Sequence, residues 1–277
     1  MNPDGKIAII TGATSGLGKE TAFALAGMNA ILVLPTRNLI KGELVKNQIT
    51  DKTGNPDIYV MECDLASFDS IRRFTVEFKK RFDRLHVLVN NAGIWERRRK
   101  ETSDGIEMNF GVNHLAHFLL TNLLMDKLRR STPARIINVS SSAHKVGRMN
   151  FSDPEGRKKF SSIRSYGQSK LANILFTRFL ADKARKEGVT VNCLHPGVVA
   201  TNLFDKLHPA LRYVAGLFMI SCKKGAETIV YLATSPEVEG VSGEYFVRKK
   251  IRKPWSPALD DRAAARLWEL SREYTGV

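Results

Sequence analysis

Lys6-Ile7-Ala8-Ile9-Ile10-Thr11-Gly12-Ala13-Thr14-Ser15-Gly16-Leu17-Gly18 is the stretch that decides the fold. Residues 6–11 read as a fully buried first strand, and an apolar-periodic helix is expected from about 17 to 27. Between them lies a glycine turn. In a strand–turn–helix of this kind, glycine lets the backbone approach a pyrophosphate, and the helix N-terminus stabilises its negative charge. A purely structural turn is the plainer reading of any glycine-rich loop, but this setting favours a nucleotide. The spacing is G-x3-G-x-G rather than G-x-G-x-x-G. No Lys-Ser/Thr ending follows, so nucleotide hydrolysis is not indicated.

Outward from that stretch, apolar runs alternate with helical patterns, the mark of a parallel sheet built from βαβ units. Strands are expected at 30–34, 58–63, 86–90, 135–140, 189–194 and 243–247. Helices are expected at 39–50, 67–82, 105–130, 166–186 and 260–274. The fold class is therefore α/β: a single doubly wound, Rossmann-like domain over residues 1–277, with a mainly parallel central sheet. Two connections, 144–164 and 198–221, leave the carboxyl ends of strands. Ligands bind beyond such ends in open α/β sheets, so both are expected walls of a substrate pocket.

The 277 residues are 43% hydrophobic, enough for a globular core. No run of 18 or more uncharged apolar residues occurs, so no membrane-spanning helix is expected. Residues 1–6 lead almost at once into the first strand, with no signal peptide or anchor expected before it. Cys63, Cys193 and Cys222 are widely spaced and lack metal-ligand spacing, which fits a reducing cytoplasm. The net charge of +15 raises nucleic acid as a partner. Yet the basic residues are dispersed, apart from 97–100 and 248–253, and no nucleic-acid-binding signature accompanies them. A solvated basic surface is the leading reading. A phosphate-bearing cofactor or an anionic membrane lipid, the latter through weak peripheral association, comes second, with 97–100 near the cofactor-side rim, and nucleic acid is a distant third. A homo-oligomer is a further partner expectation.

Tyr166 and Lys170 stand four residues apart, so a helix puts both on one face. A free phenol has a pKa near ~10, and lowering it to about 7 takes about 4 kcal/mol. One ammonium about 4 Å away supplies roughly that much at an effective dielectric near 20. The pair is therefore sufficient for general acid/base work, although an isolated YxxxK is more often a plain amphipathic contact. His144 and His195 lie near strand ends without the acid and nucleophile spacing of a hydrolase triad. His114 and His117 lack a third ligand, so no metal is expected. Leu119, Leu120, Leu123, Leu124 and Leu128 read as helix core. Trp95, Phe204, Phe218 and Met219 are candidates for an apolar substrate lining.

These motifs together resemble the short-chain dehydrogenase/reductase family over nearly the whole chain. They occur in the family's order: Thr11–Gly18, Asp64-Leu65, Asn90-Asn91-Ala92-Gly93, Asn113, Ser140-Ser141-Ser142, Tyr166 with Lys170, and Pro196-Gly197-Val198-Val199-Ala200-Thr201. Ser169-Lys170-Leu171-Ala172-Asn173, 116–120 and the closing Thr275-Gly276 look like the retinol dehydrogenase branch. The branch's anchored members carry an N-terminal apolar helix that is not seen here.

The resemblance implies that Tyr166 exchanges a proton with the substrate oxygen, and that Lys170 lowers the Tyr166 pKa and binds the nicotinamide ribose. Ser141, 25 positions before Tyr166, would hold the carbonyl. Asn113 would hold a water that connects Lys170 to solvent. Gly12, Ser15, Gly16, Leu17, Gly18, Leu65, Asn91, Ala92, Gly93, Pro196, Gly197 and Val199 would contact the cofactor. Thr201 would contact the nicotinamide amide and Asp64 the adenine, the alternative for Asp64 being a turn or capping carboxylate.

NAD-preferring dinucleotide folds place an acid at the end of the second strand. Here Thr36 stands there and Arg37 follows, a planar fork suited to a 2′-phosphate, with Lys41 nearby. The cofactor expected is NADP(H). The function expected is interconversion of an aldehyde or ketone and its alcohol on a small hydrophobic substrate, retinoids included, by a carbonyl reductase-like enzyme. The apolar stretch 215–220 points the same way. A non-catalytic NADP(H)-sensing or scaffold protein on the same fold is the alternative.

Overall fold

Strand β1 (Ile7–Ile10) lies in the middle of the sheet because each of its faces is apolar. Ala8 and Ile10 point into one core layer and Ile9 into the other. Leu32, Val33 and Leu34 of β2 (Ile31–Thr36) and Val87, Leu88 and Val89 of β4 (Val87–Asn90) alternate in the same way. A strand buried on both faces has no polar side to show, so its sequence reads as a continuous apolar run. The computed structural model describes residues 1–197, 199 and 220–277.

The sheet has eight strands in the order β3-β2-β1-β4-β5-β6-β7-β8. The remaining strands are β3 (Ile58–Glu62), β5 (Ala134–Val139), β6 (Val189–His195), β7 (Tyr245–Val247) and β8 (Lys250–Ile251). All neighbours pair in parallel except β7 and β8. Chain order reverses between β1 and β4, the switch point where such sheets bind ligands. Helices α1 (Gly16–Ala26) and α2 (Leu39–Thr53) cover one face. Helices α3 (Phe68–Arg81), α5 (Ala116–Arg129) and α6 (Ser162–Lys183) cover the other. A short α4 (Met108–Phe110) leads towards α5, and α8 (Asp261–Thr275) closes the chain against α6.

Four differences from the sequence expectation matter for the site. First, β2 continues to Thr36 through Pro35. Pairing with β1 ends at Val33, so the N–H that Pro35 lacks has no β1 partner to lose. Second, the helix expected from 105 starts at Met108 and passes through a π-helical turn, Gly111–Leu115, centred on Asn113. Third, α6 starts at Ser162, which places Tyr166 inside the helix rather than at its first turn. Fourth, residues 222–234, left unassigned from sequence, form α7 (Cys222–Thr234). It buries Gly225, Ala226, Ile229 and Leu232 on the side that packs on α1.

No described helix is long and apolar enough to cross a membrane. Leu119, Leu120, Leu124 and Leu128 are core residues, as expected. Of the loop 198–221, only Val199, Ile220 and Ser221 are described, so Thr201, Phe204, Phe218 and Met219 lie outside the described residues.

Candidate active site

The glycine loop explains its own spacing. Gly12 (φ 68°) and Gly16 (φ 55°) occupy the left-handed region, which side-chain-bearing residues avoid. Gly18 serves a different need. A Cβ there would lie 2.6 Å from Asn91 Nδ2 and would collide with the carbonyl oxygen of Gly12. Three hydrogen bonds tie the loop to the turn after β4. Thr11 Oγ1 accepts from the backbone N–H groups of Asn91 and Ala92, both at 2.9 Å, and Asn91 Nδ2 donates to Thr11 O at 2.8 Å. The Ser15 side chain caps nothing and the first turn of α1 carries no acid, so the helix N-terminus faces the cleft uncompensated. These features fit the pyrophosphate of a dinucleotide.

One cleft of about 330 Å³ gathers most of the predicted site residues. It is lined by Gly12, Ser15, Gly16, Leu17, Arg37, Asp64, Leu65, Asn91, Ala92, Gly93, Ser141, Tyr166, Lys170, Pro196, Gly197 and Val199. Gly18 and Asn113 stand behind the wall and shape it. Residues 144–164 do not line this cleft; they fold over α6, where Gln168 donates to Pro154 O and accepts from Asn150 N.

At the β2 end, Arg37 is exposed on the cleft and makes no hydrogen bond or ion pair with described residues. An arginine left unpaired on the cleft is available for an anion. Asp64 fills the turn role weighed for it, accepting from Ala66 N at 2.9 Å, and its position on the cleft leaves the adenine role open to it.

Ser140, Ser141, Tyr166 and Lys170 meet at the opposite end, where β5 and α6 converge. Ser140 is structural: buried, it donates to Lys170 O at 2.8 Å. Ser141 Oγ accepts from Ala143 N at 3.2 Å and stands beside the Tyr166 phenol, whose pKa it lowers. Lys170 Nζ lies 5.7 Å from the Tyr166 ring centroid and donates to Val139 O.

The electrostatics correct the sequence expectation. Tyr166 is not lowered by Lys170; burial pushes its phenol up to about 12, and the Ser141 hydroxyl opposes this only in part. Burial also brings Lys170 down to about 8. Both groups sit in low-dielectric protein that disfavours charge.

Asn113, expected to hold a water, has its amide committed to protein. It accepts from Ile94 N at 2.8 Å and donates to Ile94 O and Ser169 Oγ, both at 2.9 Å. Its backbone carbonyl lies 3.1 Å from His117 Nδ1. Asn113 thereby ties the loop after Gly93 to α6, one residue before Lys170.

The sequence reading missed part of the wall. Ile94, Met108 and Val112 form an apolar side of the cleft; their only sequence signal is proximity to Gly93 and Asn113. The histidines are structural. His144 Nδ1 meets the Ser141 backbone carbonyl at 2.6 Å rather than its hydroxyl, and His195 accepts from Ser142 N. Burial lowers His114 to about 3 and His117 to about 4, so both are neutral at pH 7. No cluster of three metal-ligating side chains occurs among the described residues. In the basic run 97–100, Arg99 pairs with Glu101 and the buried Glu155, and Lys100 with Glu96.

Residues 6–212 match the profile of the family described as short chain dehydrogenase. Over 292 residues the chain is 42% identical to retinol dehydrogenase 14 of Homo sapiens, covering 99% of this chain and 87% of that protein. It is 42% identical over 275 residues to retinol dehydrogenase 12 of Mus musculus, with the same coverage of 99% and 87%. Among solved structures, an uncharacterized protein from Mycobacterium paratuberculosis matches with a TM-score of 0.80 at 32% identity, covering 99% of this chain and 94% of that one. The Pseudomonas aeruginosa RhlG/NADP complex shares the fold at a TM-score of 0.74 and 23% identity, covering 89% of this chain and 97% of that one. The glycine loop, the Asn-Asn-Ala-Gly turn and the Tyr166–Lys170 helix converge on one cleft in a chain with these relatives, and it belongs to the short-chain dehydrogenase/reductase family, in its retinol dehydrogenase-like branch.

Proposed function

We propose that this oxidoreductase interconverts an aldehyde or ketone and its alcohol with NADP(H), on a hydrophobic substrate for which a retinoid is one example. One observation carries the reading: the Tyr166 phenol and Ser141 share a cleft with the glycine loop and the unpaired Arg37. The names of the curated relatives support alcohol and carbonyl chemistry.

The chain's own residues divide the work. The uncompensated N-terminus of α1 holds the cofactor's pyrophosphate, and Arg37 takes the ribose 2′-phosphate. When bound, NADPH supplies the hydride that reduces the carbonyl carbon. Ser141 donates a hydrogen bond to the carbonyl oxygen, and Tyr166 delivers a proton to that oxygen. Lys170, directly behind Gly93, holds the ribose hydroxyls and puts positive charge beneath the developing oxyanion. Ile94, Met108 and Val112 keep water from the reacting carbon, and Trp95, whose ring centroid is 5.8 Å from that of Tyr166, extends this apolar side. A phenol near 12 is protonated throughout the neutral range, so it is ready to give a proton and reluctant to take one. That favours carbonyl reduction.

The test is NADPH consumption, followed by its ultraviolet absorbance, over a panel of aliphatic and aromatic aldehydes, ketones and retinal. Turnover on apolar carbonyls supports the reading. NADPH binding without turnover across the panel would favour the sensing or scaffold alternative.

A further inference from the structure

Glu107 is fully buried, yet no cation among the described residues pairs with its carboxylate. Both oxygens are used. One accepts from Asn109 N at 2.9 Å and Asn109 Nδ2 at 2.8 Å. The other accepts from Phe110 N at 2.9 Å and from the Ser165 hydroxyl at 2.8 Å. Three N–H groups and one O–H therefore converge on a group that only accepts. A glutamine would turn its own N–H₂ against a backbone donor on one side or the other, so this position asks for a carboxylate.

What Glu107 holds is the immediate surroundings of Tyr166. Ser165, the neighbour of Tyr166 on α6, donates to Glu107 and accepts from Asn109 Nδ2 at 3.2 Å. Asn109 in turn accepts from Glu96 N at 2.8 Å. On the same helical turn, Ser162 donates to Glu96 O at 2.9 Å and accepts from Trp95 Nε1 at 2.7 Å. The network thus clamps the first turns of α6 to the loop carrying Trp95, whose ring lies 5.8 Å from that of Tyr166. Glu155, also buried, anchors it from behind, accepting from Glu107 N at 3.2 Å and from the Tyr274 hydroxyl at 3.0 Å.

We propose that Glu107, acting through Ser165 and Asn109, is a positioning residue that sets the spacing of the Trp95 and Tyr166 rings, and with it the aim of the phenol at the substrate oxygen. The inference rests on Tyr166 being the proton donor proposed above. Neither carboxylate touches the cleft, so the effect belongs to turnover and not to cofactor binding.

Ser165 permits a clean test because its removal leaves the three N–H bonds of Glu107 intact. In the full chain, Ser165→Ala is expected to lower kcat about tenfold, since small misplacements of a catalytic group are costly. NADPH affinity and Tm should stay close to wild type, and Ser165→Thr, which keeps the hydroxyl, should restore most of kcat. Near-ultraviolet circular dichroism is read on the same proteins. Coupling of Trp95 with Tyr166 should weaken in Ser165→Ala, as in a Trp95→Phe control, and persist in Ser165→Thr. An unchanged aromatic spectrum and unchanged kcat in Ser165→Ala would overturn the proposal. Loss of kcat with no spectral change would overturn it too, by removing the ring spacing as the cause. If the wild-type protein reduces no carbonyl, the functional reading fails, while the spectra still decide whether Ser165 and Glu107 hold the two rings.

Discussion

Lys170 Nζ donates to the backbone carbonyl of Val139 at 3.2 Å, and Asn173 Nδ2 donates to the same oxygen at 3.2 Å. The lysine is therefore not needed to satisfy that carbonyl. Its ammonium lies in a nearly closed site, 3% exposed, where burial lowers its pKa from 10.5 to about 8. Lys170→Met should consequently raise stability at pH 7 by about 1–3 kcal/mol while abolishing turnover. The sign follows from linkage. Below about pH 8 both states are protonated and the native state bears the full desolvation cost. Between about 8 and 10.5 the unfolded chain binds more protons, so wild-type stability rises and the gap to the variant closes. Thermal unfolding of both proteins from pH 7 to 10 measures it; a variant no more stable than wild type at pH 7 refutes the argument.

Tyr166→Phe removes the proton donor and leaves the ring packing against Trp95. Turnover should fall about 10²- to 10⁴-fold, with NADPH affinity changed only slightly. In the wild type, the phenol near 12 and the lysine near 8 predict that reductive kcat/KM is flat through neutral pH and declines above about 8, as Lys170 loses its proton. A decline centred near pH 6 would show that another group controls the step.

Arg37→Ala tests cofactor choice. A charge-assisted hydrogen bond contributes about 1.5–3 kcal/mol net, so NADPH should bind roughly 10- to 150-fold more weakly. NADH should be little affected. Comparing kcat/KM for both cofactors in both proteins, at one ionic strength, decides it. Equal use of NADH and NADPH by the unmutated enzyme would remove Arg37 from the 2′-phosphate site.

Gly18→Ala tests the loop geometry. The added methyl meets backbone at Gly12 and the amide of Asn91, neither of which is the flexible end of a long side chain. A cost of about 1–3 kcal/mol is expected, together with loss of cofactor affinity as the loop shifts from the turn after β4. Tm and NADPH titration report the two effects separately, and wild-type values in both would contradict the packing described.

The sequence alone determined the elements whose evidence is local. Buried strands are written as apolar runs and the switch-point loop as glycines, because backbone conformation and side-chain burial are properties of short segments. Arg37 was legible as the basic replacement for an expected acid, and Tyr166 and Lys170 as neighbours on one helix face. Tertiary structure decided the rest. The π-helical turn at Asn113 depends on the Ile94 and Ser169 contacts, which lie 19 and 56 residues away in the chain. The Glu107 network draws on five separated segments: 95–96, 107–110, 155, 162–165 and 274. The Tyr166 pKa was misjudged from sequence because spacing reveals a nearby charge but not the surrounding dielectric. Burial is set by everything packed around a site, and here it outweighs the one helical neighbour that the sequence could show.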